Sequence, residues 1–207
     1  MMLDVLEVYE RPYDTKRPVV CLDEKSKQLL KETRIPVKGK PGKPAKADYE
    51  YKRNGTANLF VAVEPKRSKR EVWVTKRRTK QDYAPFIKHL ADEVYKEAEK
   101  IVLVQDNLNT HKQEVLIEIL GDKEGKRIAD KIEWYYTPKH ASWLDQAEIE
   151  IHGLETQCLN KRIGDIQTME IEVAACVQRR NNNKVGINWQ FTREKAREKF
   201  RFCSLTN

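Results

Sequence analysis

The chain has 207 residues, 39% hydrophobic and 35% charged, with 40 Lys and Arg against 32 Asp and Glu for a formal charge of +8. That length allows one large domain with a real interior, and the lack of any apolar run near ~18 residues excludes a membrane-spanning helix. The positive balance suits a polyanionic partner, while four scattered cysteines (Cys21, Cys158, Cys176, Cys203) with no C-x-x-C pair exclude zinc-site spacing and a disulfide framework.

Residues 3–10 are expected to form a short helix or linker, closed by a turn at Arg11-Pro12-Tyr13-Asp14, so 1–14 is set apart as an N-terminal linker segment. Its acidic start and short apolar content are not those of a signal peptide, and free thiols point to a reducing cytoplasm. A buried strand is predicted at 18–23, where Val19-Val20-Cys21-Leu22 runs into Asp23. Lys25 to Pro44 is expected to be irregular, because prolines and glycines punctuate it. Its lysines, Lys38, Lys40 and Lys43 among them, leave it either a solvated loop or a phosphate-gripping arm.

Strands at 57–63 and 71–75 flank a basic tip, Lys66-Arg67-Ser68-Lys69-Arg70, and make a three-stranded antiparallel meander with the first strand. Thr79-Lys80-Gln81-Asp82 has the spacing of a variant capping box. The helix it opens carries Tyr83, Ile87, Leu90, Ala91, Val94 and Ala98 on one stripe and feeds the buried run Ile101 to Val104. A helical crossover of that kind makes the fourth strand parallel to its neighbour. Helices at 112–120 and 124–131, a strand at 131–136, a turn at Thr137-Pro138-Lys139-His140 and helices from Leu144, at about 165–180 and at 192–202 complete the order. That order describes an α/β domain over 15–207: a ribonuclease-H-like mixed sheet, three antiparallel strands plus parallel strands, flanked by helices.

Two of the buried runs end in an acid, Asp23 and Asp106. A lone Asp at a strand end is commonly a turn or helix cap. Two at equivalent ends of neighbouring strands, with a third acid from the later helix, would instead form an oxygen-rich nest for hard divalent cations, because clustered carboxylates repel unless cations neutralise them. Two such ions serve phosphoryl transfer by activating the attacking oxygen and stabilising the leaving one. The third acid is open on geometry alone. Glu148 and Glu150 flank the stripe Leu144, Ala147, Ile151, Leu154 and Cys158 on opposite sides, and Asp145 reads as a cap or dipole partner.

Three blocks carry a family resemblance: Val20-Cys21-Leu22-Asp23-Glu24-Lys25, Val104-Gln105-Asp106-Asn107-Leu108-Asn109-Thr110-His111, and Tyr136-Thr137-Pro138-Lys139-His140-Ala141-Ser142-Trp143-Leu144. Together with Asn54-Gly55-Thr56-Ala57-Asn58-Leu59 they resemble bacterial transposases of the insertion sequence 630 family, in the mariner superfamily. The resemblance implies a DDE catalytic core with Asp23, Asp106 and Glu148 as catalytic and metal-binding acids, and two Mg²⁺ (or Mn²⁺) ions. It further implies double-stranded DNA, both transposon ends and target, as the substrate of cut-and-paste transposition, and a homodimer on paired ends in the bacterial cytoplasm at the nucleoid. The family's Leu-Asn-x-x-Glu is here Leu144-Asp145-Gln146-Ala147-Glu148, and Ala141 stands where glycine is frequent.

Relatives carry an N-terminal helix-turn-helix domain for terminal inverted repeats, which is expected to be absent here and supplied, if at all, by a separate polypeptide. Lys25, Lys38, Lys40, Lys43, Arg67, Arg70, Arg77, Arg78, His111 and Lys139 are the candidate DNA contacts, each weighed against a solvated face. For His111 the alternatives are phosphate contact, organisation of the site, or a surface or capping role. Trp143 reads as packing rather than base stacking. Rival readings are another ribonuclease-H-like nuclease and an inactive remnant that binds DNA or interferes with an intact transposase.

Overall fold

The computed structural model describes residues 1–34, 39–44 and 49–200. Its centre is a five-stranded sheet built from β1 (Val19–Glu32), β2 (Tyr51–Glu64), β3 (Lys69–Thr75), β4 (Ile101–Gln105) and β5 (Ile132–Tyr136), in the spatial order β3-β2-β1-β4-β5. β1, β2 and β3 form the antiparallel meander, while β4 and β5 join as parallel strands. This is the ribonuclease-H-like mixed sheet that the element order predicts.

The helices are α1 (Met2–Glu10), α2 (Lys80–His89), α3 (Gln113–Leu120), α4 (Asp122–Asp130), α5 (Ala147–Leu154), α6 (Ile166–Asn182) and α7 (Arg193–Phe200). They cover both faces, as parallel strands buried on two sides require. On one face Val20, Leu22, Phe60 and Leu103 pack with Tyr83, Phe86 and Ile87 of α2, Leu116 of α3 and Ile128 of α4. The other face is filled twice: Cys21, Val102 and Val104 meet α1 and α7, and Leu59 and Val61 meet α5 and α6. Alternation along each strand sends successive side chains to these two layers. Among the described residues, no helix is long and apolar enough to cross a membrane.

Several boundaries differ from expectation. β1 continues to Glu32 and β2 begins at Tyr51, so the irregular stretch read from Lys25 is strand for eight residues. β1 pairs with β4 only through Leu22, and from there it runs beside β2 as a two-stranded ribbon with a register shift between Gln28 and Leu30. Both ribbon faces are largely wet, so no apolar alternation marks this strand in the sequence. The helix expected at 3–10 forms, but the segment set apart as a linker packs into the domain, with Val5, Leu6, Val8 and Tyr9 buried against the sheet. α2 ends at His89 and widens into a π turn over Leu90–Val94.

Candidate active site

The parallel register decides the placement of the first two acids. Leu22 pairs with Gln105, so Asp23 and Asp106 are the residues that follow the last parallel pair on the two neighbouring segments. β4 stops at Gln105, and Asp106 is the first residue beyond it. Asp23 shares its strand face with Cys21, which packs on Leu144 and Ala147, so its side chain leaves toward the layer that holds α5.

Glu148, in the first turn of α5, arrives from that layer. Asp23 and Glu148 line one cleft of about 300 Å³ with Glu24, Lys25, Ile151, His152 and Glu155. Burial, followed by the charges of Asp106, Glu148 and Glu24, raises the Asp23 carboxyl to about 6, against a backbone hydrogen bond from Glu24 that lowers it. Three acids from three separate elements thus act on one another. Glu150 takes no part: it is fully buried and bound to Arg180 and Arg70 on the far side of the helix. The structure brings Glu148, and not Glu150, to the two aspartates.

His111 is wholly buried and spans two acids, with Nδ1 on Asp106 Oδ1 and Nε2 2.9 Å from Glu24 Oε1. Burial would lower its pKa, but the hydrogen bonds to Asp106 and Glu24 prevail and hold it at about 9, so the imidazolium donates from both nitrogens. Tyr83 stacks on the ring at 4.9 Å between centroids. The backbone carbonyl of His111 accepts from Gln105 Nε2 (2.7 Å) and Tyr136 Oη (3.2 Å), and Tyr83 Oη donates to Gln105 Oε1 (2.8 Å). His111 is therefore an organiser of Asp106 and is corrected as a DNA contact, since it has neither exposure nor a free nitrogen. Glu24 was missed by sequence reasoning. It follows Asp23 on the opposite strand face, and only its place under the His111 loop gives it a role.

Asp145 lies beneath the cluster, 2% exposed. Its Oδ1 accepts from the Ala147 N–H at 2.9 Å, one residue ahead of the α5 N-cap Gln146, while Oδ2 is buried without a hydrogen-bond partner. Burial pushes this carboxyl well up, and Asp23, Asp106 and Glu148 push the same way. A neutral Asp145 has the size and shape of the asparagine it replaces in the resembling sequences.

The basic candidates divide. Arg70 is 1% exposed and ion-paired to Glu150, so it is corrected as a DNA contact: the basic tip is a 3-10 turn, Pro65–Arg67, after which strand alternation turns Arg70 inward. Lys40, Lys43, Arg67, Arg77, Arg78 and Lys139 are exposed, with Arg78 3.9 Å from Glu24. Lys25 pairs with Glu155 at 2.8 Å. Lys38 lies outside the described residues. Trp143 is 42% exposed, with one edge on Phe191.

A family model described as DDE superfamily endonuclease matches residues 18–170. The chain belongs to that family. The match contains Asp23, Asp106 and Glu148 together with the whole sheet. No curated protein sequence matches the chain. Among solved structures it is similar to the Mos1 mariner paired end complex with Mn, at 14% identity over 88% of this chain and 59% of that one, with a TM-score of 0.48. It is also similar to the Mos1 Strand Transfer Complex, at 13% identity over 91% and 62%, again with a TM-score of 0.48. The chain thus spans about three fifths of the Mos1 chains it matches.

For this DDE endonuclease domain the donor chemistry suits a hard divalent cation: Asp23 and Glu148 line one cleft, and the Asp23 carboxyl is raised by burial and by the like charges of Asp106 and Glu148, which a cation would relieve. Among the described residues, however, no three His, Cys, Asp or Glu side chains are gathered closely enough to ligate one ion. Asp106 already lends one oxygen to His111.

Proposed function

We propose that the chain is the catalytic domain of an insertion-sequence transposase of the mariner superfamily, cutting DNA strands and joining a freed 3′ end to target DNA. The observation that supports this reading is the Leu22–Gln105 register, after which Asp23 and Asp106 each follow, together with the cleft that Asp23 and Glu148 line. Asp23, Asp106 and Glu148 would hold Mg²⁺ or Mn²⁺, and bound ions would supply activation of the attacking oxygen and stabilisation of the leaving one. The chain's own contribution is orientation. His111 fixes one oxygen of Asp106, and the α5 N-terminus presents Glu148. Water opens the phosphodiester first, and the 3′-hydroxyl so released attacks a second phosphodiester without a covalent protein–DNA intermediate.

DNA is the partner favoured by the +8 charge and the exposed basic residues around β3 and the β5–α5 turn. Homodimerisation on paired ends and a separate helix-turn-helix polypeptide belong to the same proposal, as do cytoplasmic and nucleoid location. Asp145 bears on the inactive-remnant reading: burial and the charges of Asp23, Asp106 and Glu148 push its carboxyl toward the neutral form, which would add no charge beside the acids. The test is a two-stage assay with purified protein. Mg²⁺- or Mn²⁺-dependent nicking of a terminal-repeat duplex, followed by joining of a pre-cut 3′ end to target, is expected. Nicking without joining would assign a plain nuclease, and neither activity would leave a DNA-binding remnant.

A further inference from the structure

Two residues past Glu148, on the opposite side of α5, lies a buried charge cluster that the catalytic reading leaves unused. Arg180 of α6 grips both oxygens of Glu150, Nε to Oε1 at 2.8 Å and Nη2 to Oε2 at 2.9 Å. Arg70 of β3 places Nε 2.9 Å from the same Oε1, an ion pair without hydrogen-bond alignment. Arg70 is tied down further: its backbone N–H and Nη1 both donate to Asn181 Oδ1, at 2.9 and 3.1 Å, and Nη2 donates to the Val185 carbonyl. Asn181 Nδ2 returns a bond to the Arg70 carbonyl at 3.0 Å. Sheet, α5 and α6 thus meet at one carboxylate.

Stability alone is a poor reason for such a cluster. Taking three charges out of water costs several kcal/mol per ion, and well-packed apolar replacements are commonly as stable or more so. A bidentate pair fixes direction as well as distance, which apolar packing does not. Residues two apart on a helix point about 200° away from each other. Anchoring Glu150 inward therefore sets the rotation of α5 that turns Glu148 toward Asp23. Gly153 supplies a second, independent sign of the same fit: a Cβ there would stand 2.9 Å from Arg180 Nη2 and 3.1 Å from its Cζ. The helix surface is kept bare where the guanidinium lies.

We infer that Glu150, held by Arg180 and Arg70 over Gly153, is a positioning residue that aims Glu148 at the catalytic cleft. The inference rests on the reading of Glu148 as the third acid. Three variants test it: Gly153→Ala, Arg180→Lys, and the apolar triple Arg70→Met/Glu150→Leu/Arg180→Met. Each is measured for urea unfolding, for Mn²⁺ affinity by titration calorimetry, for strand nicking, and for the direction of Glu148 in a metal-free crystal structure.

The triple variant is expected to fold with near wild-type stability while Glu148 turns from Asp23 and Mn²⁺ affinity falls about 10- to 100-fold. Arg180→Lys keeps the charge, loses the fork, and should show the same loss in smaller measure. If the triple variant does not fold, Arg180→Lys and Gly153→Ala decide. Any folded variant that loses the fork yet keeps wild-type Mn²⁺ affinity and the wild-type Glu148 direction overturns the inference. Wild-type protein that binds no Mn²⁺ would sink the metal reading instead, and the Glu148 direction in the variants would still judge the clamp.

Discussion

His111 Nδ1 is bonded to Asp106 Oδ1 across five residues of chain, while Nε2 of the same ring reaches Glu24 on the neighbouring strand. One imidazolium therefore ties Asp106, just past β4, to Glu24 of β1. Its folded pKa of about 9 lies above the ordinary 6.5, so its contribution to stability is full below pH 6.5 and is lost as pH rises through 9. Urea unfolding of the wild type should weaken by a few kcal/mol between those limits. His111→Gln should be less stable at pH 6 and show a much flatter profile. Parallel profiles for the two proteins would remove the ion-pair account of this residue.

Asp23 has linkage of the same sign in a lower pH window. Its carboxyl titrates near 6 when folded against 3.8 ordinarily, so the native state holds a proton that the unfolded chain has released. The charged form weakens the fold above pH 6, and this penalty lifts as pH falls from 6 toward 3.8. Asp23→Asn should accordingly raise the melting temperature at pH 7.5, by up to ~3 kcal/mol in stability terms, while reducing metal-dependent nicking to background. Asp106→Asn should abolish nicking too, with DNA binding nearly intact. Mn²⁺ should stabilise the wild type thermally and leave Asp23→Asn almost unmoved. Calorimetric melting with and without Mn²⁺ checks both statements.

The sheet order was legible because its signals are local: apolar runs for β1, β2 and β4 and helical period for α2. The ribbon beyond Asp23 was not, since Lys25 to Glu32 is held by pairing with β2 and carries no apolar pattern. Asp23 and Asp106 could be named because an acid ending an apolar run is visible in one dimension. Glu148 and Glu150 could not be separated from helix geometry, because what distinguishes them is Arg180, 30 residues away, and Arg70, 80 residues before Glu150. Arg70 was misread for the same reason: a basic string looks solvated until strand alternation turns one member inward.

Asp145→Asn tests whether the buried acid is neutral. A protonated carboxyl and an amide of the same shape should leave stability within about 1 kcal/mol at pH 7 and nicking within a few-fold. Asp145→Ala removes the Oδ1 acceptor of the buried Ala147 N–H and should cost about 1 kcal/mol through the lost hydrogen bond. A large gain in stability for Asp145→Asn, growing with pH, would mean that the wild-type group is ionised. Denaturant titrations at pH 6 and pH 8.5 resolve the two outcomes.

Exposed and buried basic residues should part company in DNA binding. Arg77 and Arg78 follow the end of β3 as exposed residues, close to the His111 loop through the 3.9 Å contact of Arg78 with Glu24. If both grip phosphates, Arg77→Ala/Arg78→Ala should weaken duplex binding for every sequence and lower the slope of log K against log salt by about 1.8. Lys139→Ala, on the turn before α5, should lower it by about 0.9. Arg70→Met should leave the slope unchanged, because a guanidinium locked on Glu150 releases no counterion from DNA. Fluorescence anisotropy with a labelled duplex between 50 and 200 mM salt (roughly the range where such slopes are measured) separates these groups. An unaltered slope in the Arg77/Arg78 variant would return both residues to the solvated surface.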